Sequence, residues 1–275
     1  MEVQQTFLGN NYMLALTMKQ SAEWIESIIL HMIKNKIDMS RVAINIGAND
    51  GITLDPLHLL YLKNDYTGLC IEADTSTVAK LKNNLPKTVD ILHSFITPND
   101  ILNILDKYKN IDIISIDIDS FDYCILEKII ILEPKIIIIE LNENIPPGIT
   151  YYAKYGEDYD YSIHGSYQLF GCSLDAVTEL GKRYSYSLLK MEWNNAVLIN
   201  NKFTHLFELP SSNLQAYDMG YYYRENRHNV FYWKGEEALC REMTLTKAME
   251  YLRSFFAKDL DKIFLNYTNF KDYIK

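Results

Sequence analysis

Between residues 42 and 142 the sequence alternates short apolar stretches with amphipathic ones, and this alternation limits the chain to few folds. The apolar stretches predict five strands, and the amphipathic stretches predict four helices between them. The predicted strands cover 42–47, 67–74, 89–96, 111–119 and 134–142, and the predicted helices cover 54–64, 75–85, 97–108 and 121–130. The fourth and fifth strands are rich in isoleucine, which is typical of parallel strands covered on both faces. The sequence therefore predicts an α/β fold with a doubly wound sheet.

The segments on either side of this alternation have other patterns. Apolar residues at helical spacing predict one or two N-terminal helices within residues 13–35. After the fifth strand, a helix is predicted over 173–184, followed by a closing strand pair over 186–193 and 195–201. The rest of the chain is rich in tyrosine and then helical over 243–257. The predicted divisions are an N-terminal helical segment, a core and a C-terminal helical extension, over residues 1–40, 41–201 and 202–275.

Composition argues against several functional classes. The net charge of −9 disfavours a nucleic-acid surface, because phosphate binding needs clustered Lys and Arg, and the sequence has no such cluster. The most apolar region, residues 123–141, is interrupted by charged residues and a proline, so we expect no membrane span. No secretory signal is visible, and the four cysteines are widely spaced, which is typical of reduced thiols. We therefore expect a cytoplasmic protein.

The stretch AINIGANDG, residues 43–51, joins the first strand to a turn bracketed by Gly47 and Gly51. In doubly wound sheets such a turn lets a ligand approach the backbone, and an acidic residue at the end of the second strand binds the ribose hydroxyls of that ligand. Glu72 holds that position. Dinucleotides and S-adenosylmethionine both use this geometry, but Asn49 stands where the dinucleotide fingerprint has its second glycine. Both cofactors stay open at this point, as does a glycine pair that only shapes a tight turn.

Several blocks of the sequence follow one another as they do in class I S-adenosylmethionine-dependent methyltransferases. The blocks are NIGANDG, CIEAD, SFITPND, SIDIDSFDY and IIELNENIPP. Over residues 40–200 the chain most resembles the FkbM-type branch of that family, including the later blocks GCSLDAVTELG and NNAVLIN. The resemblance implies a Rossmann-like sheet of seven strands, the last of them antiparallel. It also implies methyl transfer from S-adenosylmethionine to an acceptor, often a hydroxyl on a sugar.

The resemblance further implies which residues surround the cofactor. The glycine turn would lie against the methionine part, Glu72 would bind the ribose hydroxyls with Ala73 beside it, and the end of the third strand would hold the adenine. The implied cofactor-binding residues are Gly47, Ala48, Asn49, Asp50, Gly51, Glu72, Ala73, Ser94, Phe95, Ile96 and Asp117. One departure stands at Asn45, because many members carry an acidic residue there that meets the ammonium group of the cofactor. Asp50 is the alternative partner for that group.

Polar residues follow the fourth and fifth predicted strands, at the same edge of the sheet. Asp117 and Asp119 are the candidate catalytic groups, because a hydroxyl acceptor must lose its proton during methyl transfer. Asp119, Glu140 and Asn142 supply the carboxylate and amide oxygens that Mg²⁺ prefers, and a bound cation would lower the pKa of an acceptor hydroxyl. The simpler alternative is that Asp119 and Ser120 only cap the helix that follows.

The segment after the fifth strand adds a third candidate catalytic group, His164, whose ordinary pKa suits proton abstraction near neutral pH. A solvated loop histidine is the alternative. Tyrosines crowd residues 150–161 and 217–233, and aromatic rings with polar neighbours suit sugar rings. The same tyrosines could instead pack the C-terminal extension onto the core or form a homodimer contact. The extension itself is a candidate substrate cap. Arg224 and Arg227 are candidates for a pocket that receives one phosphate or a nucleotide-linked sugar.

We therefore expect an S-adenosylmethionine-dependent O-methyltransferase that acts on a hydroxyl of a sugar or glycan precursor, such as one used for a bacterial surface polysaccharide. The substrate class comes from the resemblance alone. A NAD-dependent dehydrogenase on the same sheet is one alternative. A subunit that binds S-adenosylmethionine without catalysing a reaction is the other.

Overall fold

The computed structural model describes residues 21–157, 170–225, 227 and 239–268 of the chain. The strands in these residues are β1 (Val42–Ile46), β2 (Thr67–Glu72), β3 (Val89–His93), β4 (Ile113–Ile116), β5 (Ile136–Glu140), β6 (Ile149–Ala153), β7 (Tyr186–Glu192), β8 (Asn195–Asn200) and β9 (Ile263–Tyr267). Seven of them form one sheet in the order β3-β2-β1-β4-β5-β8-β7, and β6 pairs with β9 in a second sheet.

In the large sheet, strands β1 to β5 run parallel, and β8 lies antiparallel between β5 and β7. The seven strands and the reversed direction of β8 confirm the fold predicted from the sequence. All five parallel strands end at one edge, which we call the carboxyl edge. There Ile46 at the end of β1 pairs with Ile71 on one side and Ile116 on the other. On β5, Glu140 pairs with Asn195 at the start of β8.

Helices cover both faces of this sheet. In chain order they are α1 (residues 21–34), α2 (His58–Lys63), α3 (Thr75–Asn84), α4 (Ile101–Leu105), α5 (Asp122–Ile129), α6 (Leu174–Arg183), α7 (Asn213–Tyr217) with a π-helical turn after it (Asp218–Tyr222), α8 (Leu239–Glu242) and α9 (Leu245–Phe255). The first three share a core that includes Ile29, Leu60 and Leu81. The next three share a core on the other face, with Phe121 and Leu180 in it. The sheet is therefore doubly wound.

Two helices are shorter than the sequence predicts. Leu54 has a φ of +63°, a left-handed conformation that a helix cannot contain, and α2 accordingly begins four residues later at His58. The helix predicted over residues 97–108 shortens to α4, with tighter turns at both ends: the Thr97 carbonyl accepts the backbone N–H of Asp100, and the Leu105 carbonyl accepts that of Tyr108. Both helices thus begin later than predicted, in segments that lead from the carboxyl edge into a helix.

The C-terminal extension contains a strand as well as helices. β9 pairs antiparallel with β6, which lies between β5 and α6 in the sequence. Helix α9 covers this pair, and Ile149, Tyr151 and Leu252 are buried together beneath it. We call β6, α8, α9 and β9 the C-terminal unit. The sequence pattern predicted neither strand, because each is a short Tyr- or Phe-containing stretch whose partner lies far away in the chain.

All four cysteines are free thiols, as the sequence predicts, and three of them are buried. Over the residues that the structure describes, no helix has the length and apolar character needed to cross a membrane.

Candidate active site

The glycine turn after β1 is shaped by the protein's own chain. Gly47 has a φ of +84°, and a Cβ atom added there would lie 1.6 Å from the carbonyl oxygen of Asp117. Gly51 has a φ of +76°, and its added Cβ would lie 2.6 Å from a methyl carbon of Leu81. Both positions therefore require glycine before any ligand is considered. The end of β4 lies against Gly47, and α3 lies against Gly51.

Glu72, at the end of β2, joins two turns at the carboxyl edge. Its Oε2 atom accepts the backbone N–H of Asn49 at 2.7 Å, and its Oε1 atom accepts the backbone N–H of Asp74 at 2.7 Å. The side chain is only partly buried. Because a carboxylate has about four lone-pair positions, these two bonds leave acceptor capacity for a ligand. The predicted cofactor-binding residues Asn49, Glu72 and Ala73 therefore lie together, and Ala73 is exposed beside them.

Asp50 serves its own turn. Its carboxylate accepts the backbone N–H groups of Ile52 and Thr53, at 2.9 and 2.6 Å, and the Thr53 hydroxyl at 2.8 Å. Burial raises the pKa of Asp50, but these hydrogen bonds together lower it by more, so the pKa lies below its ordinary value. The carboxylate is ionised and already engaged, which makes Asp50 a poor alternative partner for the ammonium group of a ligand.

The end of β3 presents an aromatic ring at the carboxyl edge. Phe95 is 57% exposed, and its ring meets the buried ring of Phe121 at a centroid distance of 6.0 Å. Phe121 in turn contacts Tyr155 at 4.9 Å. The backbone N–H of Ser94 donates to the carbonyl of Glu72, so this segment lies next to β2, while Ile96 is buried. Of the three residues expected to hold adenine, Phe95 offers the open apolar surface.

Three carboxylates meet where β4 and β5 end. Asp117, Asp119 and Glu140 each place an oxygen within 4.8 Å of the other two. Glu140 is buried, Asp117 is partly exposed and Asp119 is exposed. The side chain of Asn194, in the turn between β7 and β8, donates to Oε1 of Glu140 at 2.8 Å. The sequence thus placed these acids at one edge correctly, but it gave no sign that Asn194 would hold one of them.

Asn142, the third predicted metal ligand, is engaged in the loop that follows β5. Its Nδ2 atom donates to the carbonyl of Phe170 at 3.4 Å, and its Oδ1 atom accepts the backbone N–H of Asn144 at 3.3 Å. Both residues belong to the chain that surrounds the end of β5. Asp117 adds a carboxylate to the predicted ligands Asp119 and Glu140, and Asn142 stays a predicted ligand.

The alternative interpretation of Asp119 and Ser120 as helix caps is wrong. Helix α5 begins at Asp122, and Phe121 at the cap position makes no side-chain capping bond. Instead the Asp122 carboxylate reaches back and accepts the N–H groups of Ile118 and Ser120, at 2.8 and 3.0 Å. Burial raises the pKa of Asp122 to about 6, and the hydrogen bonds from Ile118 and Ser120 oppose that rise. Asp122 thus shapes the loop in which Asp119 is exposed with a φ of +55°.

A second buried acid lies beneath the glycine turn. Asp55 precedes α2 and is 5% exposed, and its Oδ1 atom accepts the backbone N–H of Leu57 at 2.7 Å. Burial raises its pKa to about 7. This burial could not be predicted from the sequence, because an Asp–Pro pair before a helix is an ordinary surface start for that helix.

The remaining predicted polar residues have other surroundings. His164 lies outside the described residues. Arg224 donates to Glu192 at 2.8 Å and stacks over the ring of Trp193, and the buried Arg227 donates to the backbone carbonyl of Tyr222. Both guanidinium groups thus bind the protein's own groups, and the phosphate pocket suggested by the sequence stays a prediction.

No protein-family model matches the sequence, and no curated protein matches it. Solved structures with a similar fold include the sugar N-methyltransferase KedS8 from Streptoalloteichus sp ATCC 53650, at 12% identity over 66% of this chain and 86% of that one, with a TM-score of 0.42. Magnesium protoporphyrin IX methyltransferase (ChlM) from Synechocystis PCC 6803 matches at 6% identity over 65% and 83% of the two chains, with a TM-score of 0.39. An O-methyltransferase family protein from Burkholderia thailandensis matches at 9% identity over 69% and 57%, with a TM-score of 0.40. Likenesses this weak assign neither a family nor an activity.

Proposed function

We propose that this protein is an S-adenosylmethionine-dependent O-methyltransferase that acts on a hydroxyl of a sugar or glycan precursor in the cytoplasm. One observation carries the proposal: Glu72 at the end of β2 is bonded to the glycine turn after β1 and keeps acceptor capacity. This is the place where doubly wound sheets bind the ribose of a nucleoside cofactor. The free thiols fit a reducing compartment.

The residues at the carboxyl ends of β1, β2 and β3 fit an adenosine. Glu72 would bind the ribose hydroxyls, the exposed ring of Phe95 would lie against the adenine, and the turn from Gly47 to Gly51 would pass along the amino-acid part. Ala48, Asn49, Asp50, Ala73, Ser94, Ile96 and Asp117 complete the proposed set. When bound, S-adenosylmethionine supplies an electrophilic methyl group. The chain has to orient the acceptor in line with that methyl group and to exclude water.

The acceptor would be deprotonated near the carboxyl ends of β4 and β5. Asp119 is exposed and Asp117 is partly exposed. Either carboxylate can therefore take a proton from a hydroxyl that lies between these acids and the cofactor. His164 remains a proposed base from the sequence. The three clustered carboxylates, with Asn142 nearby, also have the donor chemistry of a Mg²⁺ site, and such a cation would lower the pKa of the hydroxyl.

The C-terminal unit is the proposed cover of the acceptor. It joins the core close to the acidic residues: the backbone N–H of Ala153 in β6 donates to the carbonyl of Gly171, whose own N–H donates to the carbonyl of Ser120, and Tyr152 of β6 stacks on Tyr123 of α5 at 4.1 Å. Tyr152 also stacks on Phe264 of β9 at 5.0 Å. A homodimer contact is the alternative role, and sedimentation of the purified protein distinguishes the two.

Calorimetry with S-adenosylhomocysteine and with NAD tests the cofactor. We expect micromolar binding of S-adenosylhomocysteine alone, and a loss of at least about tenfold in Glu72→Gln, which keeps one carbonyl acceptor for the turn. Glu127→Gln is the matched control, because this residue is exposed on α5 away from the edge. Binding of NAD instead would overturn the proposal in favour of a dehydrogenase.

A transfer assay tests the substrate class. Purified protein is incubated with S-adenosylmethionine carrying a labelled methyl group and with a panel of nucleotide-linked sugars and free sugars. Label on a sugar oxygen supports the proposal. Binding of S-adenosylhomocysteine without transfer to any member of the panel contradicts the sugar assignment, and transfer to a non-sugar hydroxyl replaces it.

A further inference from the structure

Asp55 has a carboxyl oxygen that no described residue satisfies. Its Oδ1 atom accepts the Leu57 backbone N–H, but its buried Oδ2 atom makes no well-formed hydrogen bond to a described residue, and the Asn45 amide lies close enough only to lower the pKa of the carboxyl. Buried polar atoms are nearly always hydrogen-bonded, because leaving one without a partner costs about 1–3 kcal/mol. An orphaned buried carboxyl oxygen next to a candidate ligand site therefore requires an explanation.

The groups that surround Asp55 are acidic or neutral. Asp50, in the turn above it, adds a second negative charge that raises the Asp55 pKa, and the Asn45 amide lowers it. Burial raises the pKa of Tyr61 on α2 and of Cys70 on β2, and the negative charge of Asp55 raises both further. The His58 ring nitrogen Nδ1 lies 2.7 Å from the backbone carbonyl oxygen of Asp55. A cation brought to this end of β1 would therefore meet an attractive potential.

Asn45 lies near this carboxyl, close to the carboxyl end of β1. It is 2% exposed, it stands two residues before Gly47 at the carboxyl end of β1, and it pairs in register with Cys70 of β2. Its amide has both a donor and an acceptor. An ionised Asp55 would draw the Asn45 N–H group toward itself, which leaves the Asn45 carbonyl oxygen to accept from a ligand.

We propose that Asp55, acting through Asn45, is the positioning residue that supplies the counter-charge for the ammonium group of the cofactor's amino-acid part. This inference rests on the proposed function and adds to it the source of the negative charge. Asp50 is the nearer acid in the sequence, but its carboxylate is taken by Ile52 and Thr53.

The assignment has a pH signature. Burial raises the pKa of Asp55 to about 7, so its carboxylate is half protonated near neutral pH when no cation is bound. S-adenosylhomocysteine carries the ammonium group, whereas 5′-methylthioadenosine has the same nucleoside without the amino-acid part. Affinity for S-adenosylhomocysteine should therefore rise between about pH 6 and about pH 8 as Asp55 ionises, and affinity for methylthioadenosine should not.

Calorimetry with both compounds at both pH values tests this. In Asp55→Asn we expect the affinity for S-adenosylhomocysteine to fall at least about tenfold at the higher pH and to lose its pH dependence, with methylthioadenosine binding unchanged. The double variant Asn45→Asp/Asp55→Asn returns one carboxylate to the same end of β1 and should recover most of the affinity. Asp65→Asn is the matched control: Asp65 is exposed before β2 with a φ of +54°, which Asn tolerates.

The outcomes separate the two levels of inference. If Asp55→Asn binds S-adenosylhomocysteine as tightly as the wild type, or loses both compounds equally, Asp55 is a structural residue and the inference is overturned. It is also overturned if the double variant binds no better than Asp55→Asn while its melting temperature matches the wild type. If the wild type binds neither compound at either pH, the proposed cofactor fails, and this inference fails with it.

Discussion

In the half of the carboxyl edge formed by β1 and β2, Asp50 and Glu72 bind the backbone of the turns there, whereas in the half formed by β4 and β5 the carboxylates of Asp117, Asp119 and Glu140 lie against one another. Asp50 and Glu72 together accept four backbone N–H groups in the first half. In the second half, Asp117, Asp119 and Glu140 hold oxygens within 4.8 Å of each other. The first arrangement stabilises the turns by itself. The second brings three carboxylates together, and like charges at that separation repel one another.

The two halves are joined at Gly47, and the largest effect should come from filling that junction. Gly47→Ala would drive a Cβ atom into the Asp117 carbonyl at a φ of +84°, so we expect a loss of about 4 kcal/mol or more in the free energy of unfolding, or no folded protein at all. Denaturant unfolding measures it. Gly181→Ala is the control. Gly181 lies inside helix α6, and its added Cβ would lie 3.3 Å from a methyl group of Leu198, which can move. Equal stability of both variants would contradict the close approach of β1 to β4.

Asp55 differs from Asp50 and Glu72, because its buried Oδ2 atom makes no well-formed hydrogen bond to a described residue. Its folded-state pKa is raised to about 7 from an ordinary value of 3.8, so the native protein holds a proton that the unfolded chain releases between these values. Stability should therefore fall as pH rises from about 4 to about 7, by up to about 4 kcal/mol more in the wild type than in Asp55→Asn.

Urea unfolding at the two pH values measures this difference. Asp122, whose pKa is also raised, is present in both proteins and cancels from the comparison. A wild type and an Asp55→Asn variant with parallel pH profiles would mean that the Asp55 carboxyl is not buried in the folded state.

The second half should bind a divalent cation, and the first half should not. Asp117→Asn removes one of three carboxylates, so we expect the affinity for Mg²⁺ or Mn²⁺ to fall at least about tenfold. Calorimetric titration with each metal measures it. Asp106→Asn, at an exposed acid paired with Lys109, should leave the affinity unchanged. A wild type that binds neither metal would contradict the metal site.

The smallest effect distinguishes the two halves by stability alone. Asp50→Ala removes three hydrogen bonds from the glycine turn, so we expect a loss of about 1–2 kcal/mol in the free energy of unfolding. Asp119→Asn removes a charge from a crowded group and keeps a residue that tolerates a positive φ, so the change should stay within about 0.5 kcal/mol or be stabilising. Thermal melts in low salt make the comparison. Destabilisation by Asp119→Asn as large as that by Asp50→Ala would remove the distinction.

The same contrast explains what could be predicted from the sequence. The strands, the glycine turn and the position of Glu72 depend on local pattern and on a rule that holds for doubly wound sheets in general. The meeting of Asp117 and Asp119 with Glu140 was predictable for the same reason, because neighbouring parallel strands end at one edge. These features need no knowledge of side-chain packing.

The parts that were missed depend on contacts between distant segments. The burial of Asp55 depends on how α2 packs over β1 and β2, and the bond from Asn194 to Glu140 depends on β8 entering beside β5. Asp122 binds backward to the loop instead of Asp119 capping forward, and both choices have the same local sequence. Such alternatives differ only in tertiary detail, which a single sequence does not contain.

The pairing of β6 with β9 affects how the protein is made. Thr150 of β6 and Thr268 after β9 are hydrogen-bonded across 118 residues, so β6 leaves the ribosome long before its partner strand exists. At typical rates of synthesis that wait lasts roughly 6–24 seconds, during which β6 has an unpaired edge. The five parallel strands can associate in that time, whereas the pair of β6 and β9 forms last. On the proposed function, a nascent chain would therefore bind the nucleoside of its cofactor before it encloses an acceptor.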